Sequence, residues 1–288
     1  MTTWRELRDH ASSQLGDALD AQRIVEVAGG FTPTELRAEF DERVSDKAQM
    51  HVDAMIARRL TGVPLQHVLG QWSFRSLDIA VDPRALIPRP ETEMVVEYAL
   101  QELRRLETTY ELISPVVADL GTGSGVIALA VAVETTHTTV LATERSAAAL
   151  SLARANLAGT GGRAAQRVRM FEGSWFEPLP DSYRCGIDLV ITNPPYLADD
   201  ELESLDPDVR DHDPHDALFA GPTGYECFES IISQLDGWLA PHGTVVLEHS
   251  PWQGEKIQGL LVQVGFTPNN VLTLDDLAGR PRVTIGRR

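Results

Sequence analysis

The chain has 288 residues, a length that suggests two domains of ordinary size and room for a sizeable core. With 43% hydrophobic and 23% charged residues it falls in the globular range, which excludes wholesale disorder, collagen-like repeats and a disulfide scaffold. Its net charge of −17, from 25 basic and 42 acidic side chains, opposes a polyphosphate partner unless the few bases cluster.

The amino terminus, MTTWRELRDHASS, carries charges throughout and shows no apolar stretch before a small-residue cleavage site, so no signal peptide is expected. Up to about Leu60 the apolar spacing predicts helices, with Leu36, Phe40 and Val44 on one face and Met50, Val52, Met55 and Ile56 on another. Thr32-Pro33-Thr34-Glu35 marks a helix start: Thr32 caps, Pro33 suits the first helical position and Glu35 can bond back to the cap. Gly62 and Pro64 end the last helix. The run QWSFRSLDIAV, from Gln71 to Val81, alternates as a short hairpin does.

Beyond Leu86, strand-like and helix-like runs alternate. VVADL precedes a helix, TTVLATE precedes SAAALSLARANLA, and RVRMFEG, GIDLVITN and GTVVLEHS follow. This predicts an α/β domain whose parallel sheet is covered by helices on both faces. NNVLTL and RVTIGRR leave no room for a helix between them and predict an antiparallel pair at the sheet edge. The most apolar stretch, Pro115 to Val133, is broken by Asp119 and three glycines, so no membrane span is expected. Cys185 and Cys227, the only cysteines, lack metal or redox spacing and suit a reducing cytoplasm. The organisation expected is a helical domain over 1–70, a hairpin linker over 71–85 and an α/β domain over 86–288.

Two motifs carry chemistry. Asp119-Leu120-Gly121-Thr122-Gly123-Ser124-Gly125 follows a strand and opens a helix, and its glycines permit a tight turn and close backbone approach to a ligand. Glu144, at the end of the next strand, stands near the distance at which an acid holds ribose hydroxyls. Taken singly, the loop also reads as a plain strand-to-helix turn, and Glu144 as a solvated charge. A dinucleotide fingerprint wants a small residue where this chain has Val126, so nicotinamide cofactors lose ground. The spacing instead resembles the S-adenosylmethionine loop of Rossmann-like methyltransferases.

The second motif is Asn193-Pro194-Pro195-Tyr196, at the end of the apolar strand DLVIT. Two prolines stiffen the turn and remove two donors, leaving nearby carbonyls free to accept. The Asn193 side chain and the Pro194 carbonyl could hold the two N–H groups of a planar amino group, with Tyr196 packed on its flat face. A tight turn with a buried tyrosine is the other reading of these residues.

Asn193-Pro194-Pro195-Tyr196 resembles the amino-methyltransferase signature, and the surrounding chain is similar to the N5-glutamine methyltransferases of peptide chain release factors, the HemK/PrmC family. The resemblance extends to the segment from Leu86 to Glu93, to Asp208-Val209-Arg210, to Glu248-His249 and to Arg282-Val283-Thr284. It implies a Rossmann-like S-adenosylmethionine-dependent methyltransferase domain behind a small helical domain that helps to dock the substrate. It implies that Gly121, Thr122, Gly123, Ser124, Gly125, Glu144, Trp175 and Asn193 bind S-adenosylmethionine, with S-adenosylhomocysteine as product. It implies further that Asn193 and Pro194 are catalytic and that Asn193, Pro194, Pro195 and Tyr196 bind the glutamine of a Gly-Gly-Gln loop in class I release factors. Glu144 stands where the family has Asp, Ser174 where an Asp often precedes the Trp, and Asp213-Pro214 for the more usual Glu-Pro.

The segment Leu197 to Asp216 holds nine acids and one base, and reads either as a solvated loop or as a docking surface for a basic protein. Asp-Pro turns and solvation explain its Asp211-His212-Asp213 run, so no metal is expected. The competing enzyme reading is an amino-methyltransferase acting on an extruded adenine, since the same tetrapeptide can hold that amino group. Charge and the lack of an evident basic groove oppose it, and direct contact with nucleic acid or membrane is not expected. A non-catalytic scaffold is the third reading, opposed by the intact glycines, Glu144, Asn193 and Pro194.

Overall fold

A computed structural model describes residues 2–288, which form two compact units. The first runs through Trp72 and takes in Asp206–His212; the second comprises Ser73–Leu205 and Asp213–Arg288.

The part of the first unit up to Trp72 is built from α1 (Trp4–Leu15), α2 (Ala18–Gly29), α3 (Pro33–Glu39), α4 (Asp46–Leu60) and α5 (Leu65–Leu69), and a short helical turn at Pro207–Arg210 joins them. The start of α3 follows its sequence, with the Thr32 side chain accepting the Glu35 N–H and Glu35 returning a bond to the Thr32 backbone. Leu36, Val52, Met55 and Ile56 enter a core shared with Trp4, Leu7, Ile24 and Val25. Met50, expected on the same face, is 71% exposed, because it sits two residues before Val52 and two residues turn a helix side chain to the opposite face. The sequence reading also missed α5, one turn of helix that restarts directly after Pro64. Arg59 explains why an acidic piece of distant sequence joins this unit. Its guanidinium lies 2.8 Å from Asp20 and 3.7 Å from Asp208.

The hairpin consists of β1 (Gln71–Phe74) and β2 (Leu77–Ala80), turning through Arg75 at φ 51°. It is anchored rather than loose. The Arg75 guanidinium pairs with Glu97 at 3.0 Å and with Glu134, while the Asn156 side chain accepts the Ala80 N–H at 2.8 Å and donates to the Ala80 carbonyl at 3.1 Å.

In the second unit, α6 (Pro90–Tyr110) leads into β3 (Val116–Leu120), α7 (Val126–Glu134), β4 (Thr139–Glu144), α8 (Ala147–Thr160), β5 (Val168–Glu172) and β6 (Ile187–Thr192). Two short strands, β7 (Leu197–Ala198) and β8 (Phe219–Gly221), pair with each other, and β9 (Leu239–Glu248), β10 (Val271–Asp275) and β11 (Pro281–Arg287) complete the sheet. The seven-stranded order is β10-β11-β9-β6-β3-β4-β5. Five neighbouring strands run parallel, and β11 is antiparallel to both β9 and β10. Every residue of β6 and the last four of β3 are buried, so both faces of the sheet are covered, as an unbroken apolar strand requires. The fold is therefore the expected α/β one, with a mixed edge.

Strand order also locates the crevice. From β3 the chain moves outward to β4 and β5, then returns to place β6 on the other side of β3. In an open α/β sheet, ligands bind outside the carboxyl ends of strands where the order reverses. The glycine loop leaves the end of β3 and Asn193 leaves the end of β6. The Thr192 hydroxyl donates to the Leu120 carbonyl at 2.6 Å and fixes these two ends side by side. Among the described residues no helix is long and apolar enough to cross a membrane.

Candidate active site

A cavity of about 360 Å³ opens at this crevice. Gly121, Thr122, Gly123, Ser124, Glu144, Trp175, Asn193 and Pro195 all line it, so eight of the residues expected at the site converge on one space. Gly125 lies just behind, as the residue that caps α7 at φ 89°. Pro194 and Tyr196 do not line it. Tyr196 packs against the hydrophobic core, burial raises its hydroxyl pKa, and its carbonyl accepts a 2.9 Å bond from the Gln253 side chain. That placement moves the Tyr196 ring away from the cavity wall, where the sequence reading had set it against a substrate.

The loop geometry follows from its residue types. Gly121 and Gly123 take φ of 72° and 57°, the left-handed region that a side chain disfavours. A Cβ on Gly121 would stand 3.3 Å from the Trp175 ring, which therefore lies directly over the loop. A Cβ on Gly123 would meet nothing within 4 Å and would project into open space. The Thr143 carbonyl accepts both the Gly121 and Thr122 N–H groups at 2.9 Å, tying the loop to the end of β4.

Two carboxylates hold the loop from opposite sides. Asp119 is fully buried; its Oδ2 accepts the Thr122 hydroxyl and the Ala128 N–H at 3.0 Å, the latter in the first turn of α7. Burial, with Glu144 nearby, pushes its pKa up to about 7 against the opposing pull of those two donors. Its Oδ1 is buried beside the loop without a hydrogen-bond partner. Glu144 accepts the Gly123 N–H at 2.9 Å through one oxygen and the Ser146 N–H at 2.8 Å through the other. The Glu144 side chain thus reaches across to the loop itself. Each of its oxygens keeps a second lone pair for a ligand hydroxyl.

Asn193 sits in a chain of hydrogen bonds. Its Nδ2 donates to Thr92 Oγ1 at 3.2 Å, and the Thr92 hydroxyl donates to Glu248 Oε2 at 2.8 Å. Glu248, at the end of β9, is 1% exposed, and burial pushes its carboxyl up to about 7 although Thr92 and Arg282 draw it down.

Two further stretches complete the cavity wall. Arg84, Ala85, Leu86, Pro88 and Arg89 come from the segment before α6, and Pro214 to Ala217 from the end of the acidic stretch. Arg89 pairs with buried Asp213, whose other oxygen faces the Ile87 N–H at 3.4 Å, so these two walls are clamped together. From sequence, Arg89-Pro90-Glu91 reads either as a helix start or as a site wall and the Asp-Pro run as a turn; Pro90 does open α6 and Arg89 does line the cavity, and only the fold brings Arg89 and Asp213 into contact. No group of three or more metal-ligating side chains occurs among the described residues.

The arrangement suits S-adenosylmethionine on its own geometry. It offers a glycine loop with open space before Gly123, a carboxylate at the end of β4 with free lone pairs and an apolar Trp175 wall.

Comparison with known proteins agrees with this geometry. Residues 102–205 match the Methyltransferase small domain model and residues 6–70 the PrmC N-terminal domain model. The release factor glutamine methyltransferase of Xylella fastidiosa (strain Temecula1) is 39% identical over 277 residues, covering 96% of this chain and 95% of that protein. That of Geobacter sulfurreducens is 35% identical over 269 residues, covering 93% and 89%. Among solved structures, the hMettl16 catalytic domain in complex with MAT2A 3′UTR hairpin 6 aligns with a TM-score of 0.54 at 15% identity, covering 85% of this chain and 84% of that one, a likeness of fold.

Proposed function

The chain belongs to the release factor glutamine methyltransferase family, and from that premise we propose that it moves a methyl group from S-adenosylmethionine to the side-chain amide nitrogen of the glutamine in the Gly-Gly-Gln loop of class I release factors. The observation that carries this reading is the convergence of the glycine loop and Asn193 on one cavity at the ends of neighbouring strands β3 and β6.

S-adenosylmethionine, when bound, supplies a methyl on a sulfonium that is already activated for transfer. Gly121, Thr122, Gly123, Ser124 and Gly125 would approach it with their backbone, Glu144 would take its ribose hydroxyls, and Trp175 would wall its adenine. The protein's own work is to position the acceptor. An amide nitrogen is a poor nucleophile because its lone pair is delocalised into the carbonyl. Asn193 Oδ1 and the Pro194 carbonyl would each accept one of its N–H groups and turn the nitrogen toward the methyl, with Pro195 and Tyr196 shaping the turn that presents those acceptors. No strong base is needed, since the nitrogen becomes acidic once alkylated. The helical domain over 1–70 would supply a second surface for a protein substrate, and the setting would be cytoplasmic.

Incubation with methyl-labelled S-adenosylmethionine and, separately, a class I release factor, duplex DNA and RNA tests the reading. Label is expected on the release factor alone; preferential label on nucleic acid would overturn it.

A further inference from the structure

We propose that Thr92 and Glu248 are positioning residues that set the orientation of the Asn193 side-chain amide. The inference rests on the reading given above, in which Asn193 must present an acceptor to the incoming amide.

The observation is the hydrogen-bonded row Asn193 Nδ2 to Thr92 Oγ1 to Glu248 Oε2, with lengths of 3.2 and 2.8 Å. Its members come from three elements: the turn after β6, the first turn of α6 and the last residue of β9. Thr92 and Glu248 are 3% and 1% exposed, so water does not compete for their bonds.

The row has a direction. Once Glu248 is ionised, above its raised range near 7, its carboxylate can only accept, so the Thr92 hydroxyl spends its single hydrogen on Glu248. What remains on Thr92 Oγ1 toward Asn193 is a lone pair. Only the NH2 end of the Asn193 amide can satisfy it, and Oδ1 is thereby turned to the other side. A primary amide flips by rotation about its last side-chain bond at little intrinsic cost, and a flipped Asn193 would meet the substrate with donors against donors. The row removes that freedom before any substrate arrives. Both Thr92 and Asn193 line the cavity, while Glu248 lies behind them and acts only through Thr92.

Thr92→Val keeps the shape of the side chain and deletes its hydroxyl; Thr92→Ser keeps the hydroxyl and deletes a methyl. In the full chain at about pH 8, where Glu248 is ionised, methyl transfer to a release factor is measured as kcat and KM, S-adenosylmethionine binding by calorimetry, and folding by thermal melting. Thr92→Val is expected to lower kcat about tenfold or more while KM for the release factor and the cofactor Kd stay within about twofold, and Thr92→Ser should recover most of the loss. A kcat within about twofold of the parent, a loss confined to KM or cofactor affinity, or a Ser variant no better than Val would each overturn the inference. Should Thr92→Val not melt cooperatively, Glu248→Gln decides: its amide can present either end to Thr92, so the fixed direction is lost and kcat should again fall with KM unchanged, whereas parental kcat would refute the role. A parent that labels no release factor removes the underlying reading together with this one. A labelling parent with an unaffected Val variant removes only the positioning role.

Discussion

Glu144 and Gly123, 21 residues apart, are joined by a 2.9 Å hydrogen bond from the Gly123 backbone N–H to a Glu144 carboxylate oxygen. The residue proposed to hold the cofactor's ribose therefore also fixes the loop that faces the rest of the cofactor. Glu144→Ala removes both contributions and should weaken S-adenosylmethionine binding by about 1–3 kcal/mol. Gly123→Val fills the open space before the loop and strains a backbone at φ 57°, so it should abolish measurable binding. Calorimetry on both variants checks this, and parental affinity in both would show that the loop is not the cofactor site.

Asn193→Ala separates chemistry from binding. Turnover should fall on the order of 10²-fold or more, with cofactor affinity within a few-fold of the parent. Near-normal turnover on a release factor would remove Asn193 from the acceptor site.

Asn156 ties the hairpin to the glycine loop. Besides its two bonds to Ala80, its side-chain N–H donates to the Ser124 carbonyl at 2.9 Å, and the residue is 6% exposed. Asn156→Ala leaves the buried Ser124 carbonyl and the more exposed Ala80 backbone groups without their partner. It should cost about 2–4 kcal/mol of stability and also weaken S-adenosylmethionine binding. Denaturant unfolding with and without cofactor reads both effects; a stability within 0.5 kcal/mol of the parent, roughly the surface-substitution range, would contradict the coupling.

How far the sequence exposed this architecture depends on the range of the interactions involved. The strands of the main sheet were legible because buried β-branched runs such as VVADL and DLVIT leave little choice of structure. The start of α3 was legible because capping is local to Thr32–Glu35. Thr92 was visible only as part of a motif, since its role depends on partners 101 and 156 residues away. The same holds for Pro214 to Ala217, which lie at the end of an acidic stretch that reads either as a solvated loop or as a docking surface, and which form cavity wall once Arg89 clamps Asp213. Met50 was misplaced for a local reason, an apolar residue two positions out of step with the buried stripe of its helix.

Asp119 gives the ligand-free protein a defined pH signature. Buried, it holds its proton up to about pH 7, whereas in the unfolded chain it loses it near 3.8. The folded state thus binds more protons through that window, and the stability contributed by Asp119 is full at low pH and lost as pH rises through 7. Asp119→Asn keeps an oxygen for Thr122 and Ala128 and cannot ionise. Its melting temperature relative to the parent should rise from pH 5 to pH 8. Glu248, also shifted up, and His249, shifted down by burial, titrate in both proteins and cancel in the difference. A difference independent of pH would contradict the assignment.

The central claim concerns one atom on a partner protein. A class I release factor incubated with this enzyme and S-adenosylmethionine should yield, on digestion and fragmentation mass spectrometry, a loop peptide heavier by a single methyl group located on the side-chain nitrogen of the Gly-Gly-Gln glutamine. The same factor with that glutamine changed to alanine should remain unmodified. A methyl found on another residue, or undiminished labelling of the alanine variant, would contradict the account.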